Sequence, residues 1–93
     1  MMELNPSRTP MFRRGFRLQW EEKQNSHVIL YPEGVAKLND SAAAILQLVD
    51  GKRTLSDIIA DLRARFPQAP EIGDDVTAFF GQAYRQKWII FRE

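Results

Sequence analysis

The chain has 93 residues, 44% of them apolar and 27% charged, the make-up of one small folded domain rather than of a disordered segment. It contains no cysteine, so disulfides, thiolate zinc sites, cysteine-ligated iron–sulfur clusters and thiol nucleophiles are excluded. Thirteen Lys and Arg against twelve Asp and Glu leave a formal charge of +1, too balanced to point to nucleic acid. No apolar run reaches the roughly 20 residues of a membrane span, and Met1 to Pro6 lacks the basic opening and apolar stretch of a secretory signal. A cytoplasmic monomer or homodimer is expected, with no membrane partner.

Residues 1–12 hold Pro6 and Pro10 and show no hydrophobic period, so they read as a flexible N-terminal arm ahead of a single domain over 13–93. Arg13, Arg14 and Arg17 give that boundary a local positive bias. Phe16, Leu18 and Trp20 then alternate with Arg17, Gln19 and Glu21, the period of a strand with one buried face. After a polar turn, His27-Val28-Ile29-Leu30-Tyr31 suits a central strand covered on both sides. Tyr31-Pro32-Glu33-Gly34 is a β-turn sequence, and Val35-Ala36-Lys37-Leu38 follows as a short third strand. The spacing predicts a three-stranded antiparallel meander with this last strand at an edge.

From Asn39 the period becomes helical. Asn39 is a natural N-cap, Ala42, Ile45, Leu46 and Val49 form one stripe, and Gly51 offers a left-handed stop. Thr54-Leu55-Ser56-Asp57 resembles a capping box; Leu55, Ile58, Ile59, Leu62 and Phe66 lie behind it at helical spacing, and Pro67 ends the segment. A third helix opens near Asp74 with Val76, Phe79, Phe80 and Ala83 as its stripe, and Trp88-Ile89-Ile90-Phe91 closes the chain as an apolar extended piece. The fold class is therefore α+β: a winged helix-turn-helix-like arrangement of a meander followed by three helices.

Catalytic groups do not converge in this sequence. His27 is the single histidine, Ser26 and Ser41 have no visible base, and no phosphate-loop or nucleophile-elbow pattern occurs. Glu21-Glu22 and Asp74-Asp75 read as solvated charge, the second pair favouring a helix N-terminus. The chain is expected to be no enzyme, with neither cofactor nor metal. A winged-helix DNA-binding regulator is the alternative reading, but a recognition helix that begins with Glu71, Asp74 and Asp75 would repel phosphates, so no nucleic-acid partner is expected.

An edge strand offers unpaired amides and carbonyls to an incoming peptide. Val35, Ala36, Lys37 and Leu38 are the candidate edge. The third helix would be the neighbouring wall, with one of the aromatics Phe79, Phe80 and Tyr84 left available to a ligand and Gly81 giving either close backbone approach or tight packing on the sheet. Proline at Ala36 or Lys37 is expected to remove an edge donor with little loss of fold.

These residues resemble a known family. Arg14-Gly15-Phe16-Arg17-Leu18-Gln19-Trp20-Glu21, Leu30-Tyr31-Pro32-Glu33-Gly34, Lys37-Leu38-Asn39, Ala44-Ile45-Leu46, Asp50-Gly51, Asp75-Val76 and Lys87-Trp88 look like the PqqD family of coenzyme PQQ synthesis proteins, over about Arg13 to Ile90. Where the family usually carries Gly-Trp near its end, this chain has Lys87-Trp88, a departure that bears on the last turn. The resemblance implies a peptide chaperone for pyrroloquinoline quinone biosynthesis, a recognition element for ribosomally made, modified (RiPP) peptides. Such proteins bind the precursor peptide PqqA and present it to the radical SAM enzyme PqqE, which cross-links a glutamate and a tyrosine in it. The leader peptide typically adds to the third strand and lies against the third helix, which implies contacts along Val35 to Leu38 and on the outer face of about Val76 to Tyr84, with Val76, Phe79, Phe80, Ala83 and Tyr84 as the candidates there.

Overall fold

In the computed structural model, which describes residues 5–92, the chain runs β1 (Thr9–Phe12), β2 (Arg17–Glu21), β3 (Ser26–Tyr31), β4 (Gly34–Lys37), α1 (Asp40–Leu46), α2 (Leu55–Arg65), α3 (Ile72–Arg85) and β5 (Ile89–Arg92). This is an α+β fold with three helices and antiparallel sheets. The expected meander is present in the order β2-β3-β4. Leu18 lies opposite Ile29 and Ile29 opposite Ala36, so these three point to the helices. Val28 points to the other face yet is fully buried between its register neighbours Gln19 and Lys37, which is why β3 reads as apolar on both sides. The first hairpin turns through Asn25 at φ 51°, a left-handed conformation that asparagine tolerates. The second turns through Pro32-Glu33, with Tyr31 opposite Gly34. A Cβ on Gly34 would stand in ordinary contact with the Tyr31 ring, which stacks on Phe16 at 5.5 Å.

The helix ends follow local chemistry. The Asn39 side chain accepts from the Ala42 N–H at 2.8 Å, as expected of an N-cap. The helix stops at Leu46, earlier than the Gly51 stop; Leu48 and Val49 are buried by a tighter i→i+3 turn, and Gly51 takes φ 76° further on. The N–H groups of Arg53 and Lys52 bind the Asp50 carboxylate and hold its pKa below the usual range. The Thr54–Asp57 capping box is complete, with both reciprocal bonds at 3.0 Å. Leu55, Ile58 and Leu62 enter the core, while Phe66, expected on the same stripe, lies past the helix end and is 47% exposed. Gly81 shows neither of its expected close contacts: a Cβ there would meet only the Arg85 guanidinium at 3.7 Å.

The N-terminal arm is the clearest correction. Thr9–Phe12 forms β1 and pairs with β5 in a second sheet, Thr9 opposite Arg92 and Pro10 opposite Phe91. The Arg13 N–H donates to the Trp88 carbonyl, which fixes the ladder so that Thr9 and Met11 face β5 and Pro10 faces away, where a missing N–H costs nothing. Upstream, the carbonyls of Arg8 and Pro6 accept from the N–H groups of Leu55 and Ser56, satisfying donors that the first turn of α2 would otherwise leave open. Residues 1–4 of the expected arm lie outside the described residues. The apolar C-terminal piece joins the same sheet: Ile89 is buried, Ile90 is exposed, and the Phe91 ring packs near Phe80 and Tyr84 with the Arg8 guanidinium 5.7 Å from its centre.

The departure at Lys87 also has a structural consequence. Trp88 N–H donates to the Ala83 carbonyl and Lys87 N–H to the Tyr84 carbonyl, the paired bonds of a Schellman ending, with Lys87 at φ 67° in the position glycine normally fills. A lysine there pays roughly 1 kcal/mol for its Cβ. Lys87→Gly should therefore raise stability by about 1 kcal/mol, a rise of about 4–8 °C in Tm by thermal denaturation.

Candidate functional site

The edge expected from the sequence is open. β4 pairs with β3 on one side and, among the described residues, with no strand on the other. The direction of its free groups follows from the register. Leu38 N–H donates to the carbonyl of His27, the residue directly opposite, so Leu38, Ala36 and Gly34 turn both backbone groups toward β3. Val35 and Lys37 alternate with them and turn N–H and C=O outward. Ala36 and Lys37 are thus not equivalent: only Lys37 is an edge donor, and the Ala36 N–H is spent inside the sheet. The side chains obey the same alternation, Val35 and Lys37 being exposed, Ala36 half-buried against the core and Leu38 buried.

The wall of α3 is narrower than its sequence stripe. Val76, Phe80 and Ala83, three of the expected contacts, are core residues about 1% exposed or less. Tyr84 is 41% exposed but sits on the far flank, its ring 5.8 Å from that of Phe91 on β5. Of the expected α3 contacts only Phe79 lies half-buried on the flank that turns toward α1 and β4, edge-on to Phe80 at 5.7 Å. That flank is the i, i+3, i+4 series Ile72, Asp75, Phe79, Gln82 and Gln86. Apart from Phe79 none of these stands out in the sequence, because the more apolar series beside them dominates the helical pattern and belongs to the core.

Two clefts mark the ends of the space between β4 and α3. One, about 570 Å³, lies where the β3–β4 turn faces the end of α3, among Arg13, Phe16, Tyr31, Glu33, Lys87 and Trp88. The other, about 380 Å³ and largely apolar, lies where the start of α1 faces the start of α3, among Asp40, Ala44, Phe66, Ile72 and Asp75. β4 and α3 therefore run in opposite directions along a groove, Gly34 level with the end of the helix and Leu38 level with its beginning. His27 lines neither cleft; its ring meets Trp20 of β2, the strand at the opposite edge of the sheet from β4, edge-on at 5.0 Å. Among the described residues no group of three or more His, Asp or Glu side chains is arranged to hold a metal, and no helix is long and apolar enough to cross a membrane.

Fold and groove together define a small α+β protein with an unpaired strand beside a helix flank, a class suited to holding an extended chain. The sequence pattern of the family described as Coenzyme PQQ synthesis protein D (PqqD) matches residues 26–89, and the chain belongs to that family. It is 61% identical over 93 residues to the PqqA binding protein of Rahnella aquatilis, covering 100% of this chain and 98% of that one. The PqqA binding protein of Stutzerimonas stutzeri is 54% identical over 92 residues, covering 99% of this chain and 100% of the other. In structure the chain is similar to the PqqD part of Methylobacterium extorquens PqqCD, solved by NMR and described as a functional, stand-alone RiPP recognition element. That similarity has a TM-score of 0.76 at 32% identity and covers 95% of both chains.

Proposed function

We propose that this protein binds the precursor peptide PqqA as an added strand on β4 and acts as a non-catalytic peptide chaperone in pyrroloquinoline quinone biosynthesis, presenting the peptide to the radical SAM enzyme PqqE. The relatives named PqqA binding protein and the recognition-element structure support the ligand. The observation that carries the mode of binding is the pair of outward-facing residues Val35 and Lys37 on an uncovered edge. Main-chain pairing supplies affinity without demanding one side-chain sequence, and side chains of the peptide select the groove. In this reading Val35 and Lys37 make the strand contacts, Ala36 and Phe79 form the floor, and Val76, Phe80 and Ala83 hold the floor in place from beneath. The winged-helix-like arrangement serves a peptide: Asp74 and Asp75 in the first turn of α3 oppose phosphate. Holding PqqA on the enzyme raises its effective concentration at the radical centre, which the partner supplies.

Titrating the isotope-labelled chain with unlabelled PqqA tests the reading. The amides of Val35 and Lys37 should move most, downfield as they gain acceptors, with Phe79 and Gln82 following. Shifts confined to β2 or to the β1–β5 sheet would refute it.

A further inference from the structure

The groove is electrically polar along its length. At the Gly34 end, Arg13 and Lys87 face the cleft with one carboxylate, Glu33, and the aromatic rings of Phe16, Tyr31 and Trp88. At the Leu38 end, Asp40 and Asp75 rim an apolar cleft floored by Ala44, Ile72 and the exposed Phe66, with no cation lining it. Arg13, Lys87, Asp40 and Asp75 are all exposed, and among the described residues none of the four has an ion-pair partner. Of the charges that line the two clefts, both cations stand at one end, beside Glu33, and Asp40 and Asp75 stand at the other. From Asp75 to Lys87 the helix rises about 18 Å, the reach of about five residues of an extended strand.

We infer that the two clefts read the charge polarity of the captured peptide. Resting on the strand-addition reading above, the inference adds what the strand must carry. A carboxylate side chain lies at the Arg13–Lys87 end. About five residues away, an apolar residue flanked by a lysine or arginine enters the Asp40–Asp75 cleft. Antiparallel pairing, the more favourable arrangement, makes the peptide run from the acidic cleft to the basic one, so the base-flanked residue comes first and the carboxylate last. The chemistry is complementary at both ends, and reversing the strand would set like charges against each other at both. Charge thereby sets direction and register, which main-chain bonds on a four-residue edge leave open.

The test uses the full chain and PqqA, with affinity measured by calorimetry. R13Q/K87G and D40N/D75N should each weaken binding about threefold or more at low salt. K87G relieves backbone strain, so a loss in the first pair is not a loss of fold. The unmodified chain should lose affinity between about 50 and 500 mM salt, and the four-site variant should be nearly indifferent to it. A nitroxide on the N-terminus of PqqA should broaden the amides of Ser41 and Val76 more than those of Lys87 and Trp88. Unchanged or tighter binding in either pair of variants, or broadening at the Lys87 end or at neither end, overturns the inference. Failure of the unmodified chain to bind PqqA would defeat the functional reading itself, whereas binding that ignores both pairs defeats only the reading of charge.

Discussion

A Lys37→Pro chain should keep its fold and bind PqqA at least about tenfold more weakly, while Ala36→Pro should lose the edge strand itself. The two positions are adjacent and equally plausible as edge donors in the sequence, yet the ladder separates them. Ala36 lies opposite Ile29 and, by the phase set at Leu38 and His27, gives its N–H to the Ile29 carbonyl. Proline there removes that bond and strands a carbonyl in the fully buried Ile29, a cost of about 1–3 kcal/mol in stability. Lys37 points its N–H to solvent, so proline at 37 deletes no bond of the free protein. When a peptide pairs with the edge, one main-chain bond is missing and the pyrrolidine ring occupies the space of the incoming carbonyl. A loss of about 1.4 kcal/mol corresponds to the tenfold change. Urea denaturation should show the cost at 36 and near-neutrality at 37; calorimetry should show weak binding at 37. Equal binding by Lys37→Pro and the unmodified chain would move the peptide off β4.

What the sequence displays well is whatever one short window determines. The Asn39 cap and the Thr54–Asp57 box each depend on residues within four positions of one another, and each appears as expected, whereas the Phe16-Leu18-Trp20 stripe holds only in part, Trp20 at the end of β2 being 48% exposed. The open β4 edge is legible for the same reason, since Pro32-Glu33 fixes a tight hairpin with β3 and Asn39 starts a helix immediately after it. Which amides of β4 point outward is not legible, because a shift of one residue in register exchanges them. On α3 the strongest apolar series, Val76, Phe80 and Ala83, is strong because it is the core, and its residues are about 1% exposed or less. The left-handed Lys87 is hidden because lysine carries no turn signal; the missing glycine is visible only against the family pattern.

The pairing of β1 with β5 is the feature least accessible to a local reading, and it carries the second large prediction. Deleting residues 1–12 should cost roughly 3 kcal/mol or more. The deletion removes the β1 side of the ladder, buried Pro10, half-buried Met11 and Phe12, and the Arg8 bond to the Phe91 carbonyl at 3.0 Å. It also reopens the Leu55 and Ser56 donors, because the carbonyls of Arg8 and Pro6 that cap them lie in the deleted segment. A chain of this length has a total stability of roughly 5–14 kcal/mol, so the loss is a large share and should lower Tm by at least about 12 °C. The effect reaches the groove: β5 holds Phe91 against Phe80, and Phe80 is the buried ring against which Phe79 rests. Should the truncated chain fail to fold, hydrogen exchange on the full-length protein decides the matter. Leu55 and Ser56 amides held by residues 6 and 8 should exchange as slowly as Met11 and Ile90 in the β1–β5 ladder, because the same event must release them all. Rapid exchange at Leu55 and Ser56 beside protected Ile58 would show the segment to be the loose arm that its two prolines suggest.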